Sequence, residues 1–184
     1  MIIKVLLENT SRSDRLAVAH GLSLYIQTDA HKILFDAGPG DHFLENAQKM
    51  DVNISDVDIF VLSHGHYDHG GGLPAFLRSN TKAKLYIHRL AFEPHFAMRE
   101  GNRWEDIGLD PNLKDNKRIV WTSGRYGIDK GIQVFSDVMR THETPGSNRN
   151  LFIGHAGQKE IDVFDHEQNL VIEENGISVL LTGC

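Results

Sequence analysis

The chain has 184 residues, 40% of them apolar, with 25 acidic and 19 basic side chains for a formal net charge of −6. That length suits one domain, taken as residues 1–184, and the apolar share is enough to bury a core, which excludes a chain disordered throughout. The acidic balance repels phosphate backbones, no run nears the roughly 20 apolar residues that cross a bilayer, and the lone Cys184 excludes an internal disulfide framework.

The expectation is a cytoplasmic protein that binds neither nucleic acid nor membrane. Met1 to Glu8 is too short for a signal-sequence core followed by a cleavage site, and it alternates like a strand. Residues 2–8, 22–28 and 31–36 are rich in Ile, Val, Leu, Tyr and Phe, with a turn at Thr28 to His31, and predict a strand followed by a hairpin. Asp41 is placed to cap a helix whose Phe43, Leu44, Ala47 and Met50 form one apolar stripe. Ile59 to Leu62 is a continuous apolar run, expected of a strand buried on both faces. Beyond Gly72, the segment Leu73-Pro74-Ala75-Phe76-Leu77 opens a short helix with proline in its first turn.

Leu85 to His88 predicts the next strand, and the dispersed Arg78, Lys82, Lys84 and Arg89 predict a solvated rim. The stretch Ala91 to Asn116 mixes Phe92, Phe96, Met98 and Trp104 with many charges and has no period. It suits either an irregular insertion over a site mouth or a surface connection. Ile119 to Trp121, Ile132 to Phe135 and the segment ending at Met139-Arg140 predict short strands, and residues 143–159 a mobile stretch. Leu170 to Ile172 and Ile177 to Leu181 flank an Asn175-Gly176 pair, a strong hairpin signal.

The segment His64-Gly65-His66-Tyr67-Asp68-His69 packs four potential metal ligands into six positions, at the carboxyl end of the apolar run, where an open α/β sheet places its ligands. Imidazole and carboxylate hold zinc-like cations at about 2.0 to 2.2 Å. His64 and His66, two apart in an extended loop, point to the same side and can share one ion. Asp68 and His69 face a second if the chain turns helical there, the arrangement of two-metal hydrolytic sites.

This motif resembles the signature of the metallo-β-lactamase-like hydrolases, and Ile33-Leu34-Phe35-Asp36-Ala37-Gly38 resembles the family's strand ending in a supporting aspartate. Asn9-Thr10, Gly21 to Leu24, Phe43 to Ala47 and Leu180-Leu181-Thr182-Gly183-Cys184 are similar to the branch of the 7,8-dihydropterin-6-methyl-4-(β-D-ribofuranosyl)-aminobenzene-5'-phosphate synthases. The resemblance implies an α/β fold, a four-layer αβ/βα sandwich. It implies two divalent metal ions, zinc with manganese or iron as alternatives, held by His64 and His66 and by Asp68 and His69. Asp68 would orient the attacking hydroxide, and Asp36 would fix a histidine N–H from behind. That branch continues past the Thr-Gly-Cys strand end to further metal-binding histidines, so the expectation is an amino-terminal portion with the second half of the sandwich incomplete. A second copy covering the open sheet, and reduced metal occupancy, would follow.

Of the other histidines, His88 at a strand end and His142 are placed to reach substrate. Arg140 and Glu143 match a pair in the branch that holds a loop or an anionic group. His20, His31, His42, His95, His155 and His166 suit surface or turn positions, and Cys184 either a place near the second metal, where a thiolate suits zinc, or, as the favoured reading, a buried strand end. The main expectation is a metal-dependent hydrolase acting on a small ester, lactone or phosphoester. The alternatives are a pterin-pathway synthase-like protein and a truncated, non-catalytic metal-binding module. A di-iron redox centre is disfavoured, because such relatives carry a carboxylate where His66 stands.

Overall fold

The computed structural model describes residues 1–139, 141–143, 145–155 and 158–184. The first half runs β1 (Ile2–Leu7), β2 (Ser23–Gln27), β3 (Lys32–Phe35), α1 (His42–Lys49), β4 (Ile59–Val61), α2 (Tyr67–Gly70), α3 (Leu73–Ser79) and β5 (Lys84–His88). It continues with β6 (His95–Arg99), β7 (Arg103–Asp106), β8 (Ile119–Thr122), β9 (Arg125–Asp129) and β10 (Ile132–Phe135). The last strands are β11 (Leu151–His155), β12 (Gln158–Ile161), β13 (Asn169–Glu174) and β14 (Ile177–Leu181).

A six-stranded sheet, β1-β2-β3-β4-β5-β8, is antiparallel through β3 and parallel from there on. Its side chains alternate between two cores, as the two-residue period of a strand requires. One face puts Leu34, Phe60, Leu85 and Ile87 against Phe43 and Ala47 of α1 and Leu73 and Phe76 of α3. The Phe60 and Phe76 rings meet at 4.8 Å. The other face puts Ile33, Phe35, Ile59, Val61 and Tyr86 against Ile132, Val134, Leu170 and Ile172 of a second sheet, β14-β13-β10-β9. Burying strands β3 and β4 on both faces is what their unbroken apolar runs demand.

Asp41 stands at the N-cap of α1 as expected, although its side chain makes no capping bond. Asn175 and Gly176, with φ of 52° and 77°, form the turn between β13 and β14; two residues at positive φ are what a tight hairpin needs. Arg78, Lys82, Lys84 and Arg89 are all exposed.

Three expectations are corrected. The stretch 91–116 is not an irregular insertion: it contributes β6 and β7 to a third sheet, β12-β11-β6-β7. Part of the 143–159 stretch supplies strands β11 and β12 of that same sheet. Their weak apolar character reflects packing through a few contacts, such as Trp104 edge-on to Phe152 at 4.9 Å, with Lys159 over the Trp104 ring. The predicted strand ending at Met139-Arg140 does not form over residues 136–139, and Arg140 lies outside the described residues. Among the described residues no helix is long and apolar enough to cross a membrane.

Candidate metal centre

Register builds the site. Phe35 of β3 lies beside Val61 of β4, so both strands end together and Asp36 meets Ser63 and His64 at the carboxyl edge of the sheet. The Asp36 N–H donates to the Val61 carbonyl at 2.9 Å, and its backbone takes a φ of 59°. Aspartate tolerates that left-handed conformation better than most side chains, and such outliers cluster at functional sites. Asp36 is fully buried, and three donors meet it: the Ser63 N–H on Oδ1, and the Ser63 hydroxyl and His69 Nδ1 on Oδ2, each at 2.7 Å.

These bonds assign the protons. The Ser63 hydroxyl gives its hydrogen to the Asp36 carboxylate, so at 2.8 Å it accepts from His64 Nδ1. His64 Nε2 is left as a bare lone pair, fully buried and, among the described residues, without a hydrogen-bond partner. An orphaned buried acceptor costs about 1–3 kcal/mol unless something binds it, and a cation among histidine and carboxylate donors fits that description. Burial, followed by the neighbouring imidazoles, holds the His64 pKa well below 6.5, so the ring stays neutral and able to ligate. His69 holds its Nδ1–H on Asp36, which leaves Nε2 as the nitrogen that can ligate once it gives up its proton.

The turn after His66 is helical, as α2, and it folds Asp68 and His69 back towards His64. The His64 ring lies 4.7 Å from that of His66 and 4.3 Å from that of His69. Ligand atoms of His64, His66 and Asp68 lie within 4.8 Å of one another, and so do those of His64, His69 and Cys184. All four residues of the motif are thus in one place: His69 groups with His64 and Cys184, and its Nε2 also lies 3.7 Å from Asp68 Oδ2. Gly65 is required between the first two histidines: a Cβ there would sit 2.2 Å from the Ala91 carbonyl oxygen.

Burial lowers the pKa of His69, but the Asp36 charge and hydrogen bond outweigh it and push the value up to about 10. A raised folded-state value stabilises the fold in full below the unfolded value of 6.5 and ceases to do so as the pH climbs through about 10. In chelator-treated protein, the gap in urea midpoint between wild type and His69→Gln is therefore expected to narrow between about pH 6 and about pH 10.5. A gap constant over that window would contradict the assignment.

The remaining sequence candidates fall in different places. His88 is 2% exposed at the end of β5, and burial lowers its pKa. Glu143 and His142 are exposed and line a cavity of about 370 Å³ with Asp137, Phe164 and Cys184. His20 and His42 are exposed as expected, His31 is half-buried, and the side chain of His155 lies outside the described residues.

Cys184 is corrected from a buried strand end to an exposed residue whose thiol faces inward; contacts with His66 and then His69 pull its pKa down. His95 and His166 are corrected from the surface to the interior, at 0% and 1% exposure. With Asp162 and His66 they form a second buried cluster with ligand atoms within 4.8 Å. Gln168 was also missed: its amide donates to the Leu62 and Tyr86 carbonyls at 2.8 and 3.0 Å and clamps the strands that carry the ligand loop. The one local hint was the Asp162/His166 spacing of four, which carries meaning on a helix, whereas here the segment is a loop.

A family model described as the metallo-beta-lactamase superfamily matches residues 17–153. An uncharacterized protein of Methanocaldococcus jannaschii is 30% identical over 188 residues, covering all of this chain and 69% of the relative. The 7,8-dihydropterin-6-methyl-4-(beta-D-ribofuranosyl)-aminobenzene-5'-phosphate synthase of the same organism is 32% identical over 158 residues, covering 65% of this chain and 54% of the relative. Among solved structures, a metal-dependent hydrolase of the beta-lactamase superfamily has a TM-score of 0.76 at 28% identity, over 99% of this chain and 65% of that one. A quorum-quenching N-acyl homoserine lactone lactonase shares the fold, with a TM-score of 0.52 at 18% identity over 86% of this chain and 58% of that one. This chain therefore spans between 54% and 69% of the length of these relatives and solved structures. The fold, the buried histidine edge and the match over residues 17–153 lead to one conclusion: the chain belongs to the metallo-beta-lactamase superfamily.

Proposed function

We propose that this chain carries the metal-binding part of a hydrolase that attacks a small ester, lactone or phosphoester with activated water. The observation that carries the reading is the buried His64 Nε2, set among Asp68, His66 and His69 with no hydrogen-bond partner among the described residues. Two divalent ions, zinc first among them, would be held by His64, His66, Asp68 and His69, with Cys184 near enough to join the set. Such ions supply Lewis acidity and lower the pKa of a bound water to about 7.

The chain's own residues do the remaining work. Asp36 holds His69 in the tautomer that ligates, and the Ser63 hydroxyl does the same for His64. Asp68, only 8% exposed and facing His20 and His69, accepts a hydrogen bond from the attacking water and orients it. The adjoining cavity of about 370 Å³ suits a small substrate rather than a polymer.

Purified chain supplied with zinc or manganese is expected to hydrolyse an activated ester, lactone or phosphodiester, and Asp68→Ala to lower kcat by about 10²-fold or more. Full activity in Asp68→Ala would end this reading. A pterin-pathway role is favoured by the 32% identity to the dihydropterin-type synthase; calorimetry with a pterin and with a ribosyl phosphate tests it, and no heat with either counts against it. A non-catalytic metal-binding module predicts at most one metal equivalent per chain and no turnover, which elemental analysis and the same assays decide.

A further inference from the structure

We propose that Asp162 is a positioning residue for the metal centre: it keeps the proton of His66 on Nε2, so that Nδ1 is the ring nitrogen offered to a cation. The inference rests on the metal-binding reading above and goes beyond the ligand motif to a part of the chain 96 residues away.

Asp162 is 1% exposed and stands just after β12, facing His66 of the ligand loop, His95 of β6 and His166. Its Oδ2 lies 3.2 Å from His66 Nε2, 3.1 Å from His95 Nδ1 and 3.1 Å from His166 Nε2. Its Oδ1 accepts from the Phe164 N–H at 2.7 Å and lies 3.3 Å from His166 Nε2. An ionised carboxylate offers about four lone-pair sites, and four donors meet them here: His66, His95, His166 and the Phe164 amide.

The roles are fixed from outside the cluster. His166 Nδ1 accepts from the Gly65 N–H at 2.8 Å, so its proton sits on Nε2 and points at Asp162. A ring in that state cannot also ligate through Nε2, so His166 acts on Asp162 as a hydrogen-bond donor and not as a ligand. The support closes on itself: Gly65 donates to His166, His166 to Asp162, and His66 to Asp162, with Gly65 and His66 adjacent in the ligand loop. Asp162 thus stands to His66 as Asp36 stands to His69, with the bond on the opposite ring nitrogen. The two carboxylates together decide which nitrogen each histidine presents.

The test compares zinc binding by the full chain and by Asp162→Asn, in competition with a chromophoric chelator, alongside cobalt(II) absorption spectra. Asp162→Asn is expected to weaken zinc binding by about 10- to 100-fold and to alter the cobalt ligand-field bands. Equal affinity and an unchanged spectrum would overturn the inference. Loss of one whole metal equivalent with the rest unaffected would also overturn it, in favour of direct ligation by Asp162. Should the variant not fold, nitrogen NMR of histidine-labelled, zinc-loaded wild type decides: a His66 proton on Nε2 supports the proposal and one on Nδ1 overturns it. Wild-type chain that takes up no zinc sinks the hydrolase reading as well, whereas equal uptake by wild type and variant sinks this inference alone.

Discussion

Asp36→Ala is expected to be the most damaging single change at the site, lowering stability by about 3–5 kcal/mol, the cost typical of removing one partner of a buried charged pair. The variant strands the Ser63 N–H, the Ser63 hydroxyl and His69 Nδ1–H, all buried and all now directed at Asp36. It also places alanine at a φ of 59°, where aspartate is the better tolerated residue. For a chain of this size that loss corresponds to a fall in Tm of about 6–20 °C. The metal centre should suffer separately, since His64 and His69 both lose the groups that set their tautomers, and zinc affinity should drop by about 10- to 100-fold. Urea unfolding and chelator competition measure the two effects; a stability loss under about 1 kcal/mol would show that the polar knot is not a structural anchor.

Gly65→Ala is expected to disable metal binding through sterics alone. The new methyl would lie 2.2 Å from the Ala91 carbonyl oxygen and 2.8 Å from His95 Nε2, and the first of these is backbone that cannot swing aside. Relief requires the ligand loop to move outward, which pulls the Gly65 N–H from His166 and shifts both His64 and His66. Overpacking of this kind costs about 1–3 kcal/mol, and a displacement of the ligands removes tight zinc binding even if the chain still folds. Gly127→Ala is the matched control: a Cβ there meets nothing within 4 Å, so its stability should stay within about 0.5 kcal/mol of wild type. Zinc affinity of Gly65→Ala equal to that of the control would refute the steric argument.

The part of the site that is legible in the sequence is the part made by neighbours in the chain. Six consecutive positions hold His64, His66, Asp68 and His69, and the apolar run before them announces a buried strand whose carboxyl end must carry them. Leu34, Phe60 and Leu85 reach the helical side of the sheet, and Ile33, Phe35 and Ile59 the other, because alternation along a strand leaves no further choice. The Asn175-Gly176 turn is equally local: two residues at positive φ need only their own backbone.

What the sequence could not reveal is made by residues far apart in the chain. His95 and His166 read as surface residues because isolated histidines in polar segments usually are, and nothing near them predicts that each will face Asp162. Strands β6, β7, β11 and β12 have weak apolar patterns because pairing within a small sheet, rather than a deep core, holds them in register. The chain by itself determined the candidate ligands, their loop and the two-faced sheet that carries them, since these follow from local spacing and hydrophobic period. Only the tertiary structure decided which ring nitrogen of His69 and of His66 faces a carboxylate, because those carboxylates lie 33 and 96 residues away and burial makes leaving such groups unpaired costly.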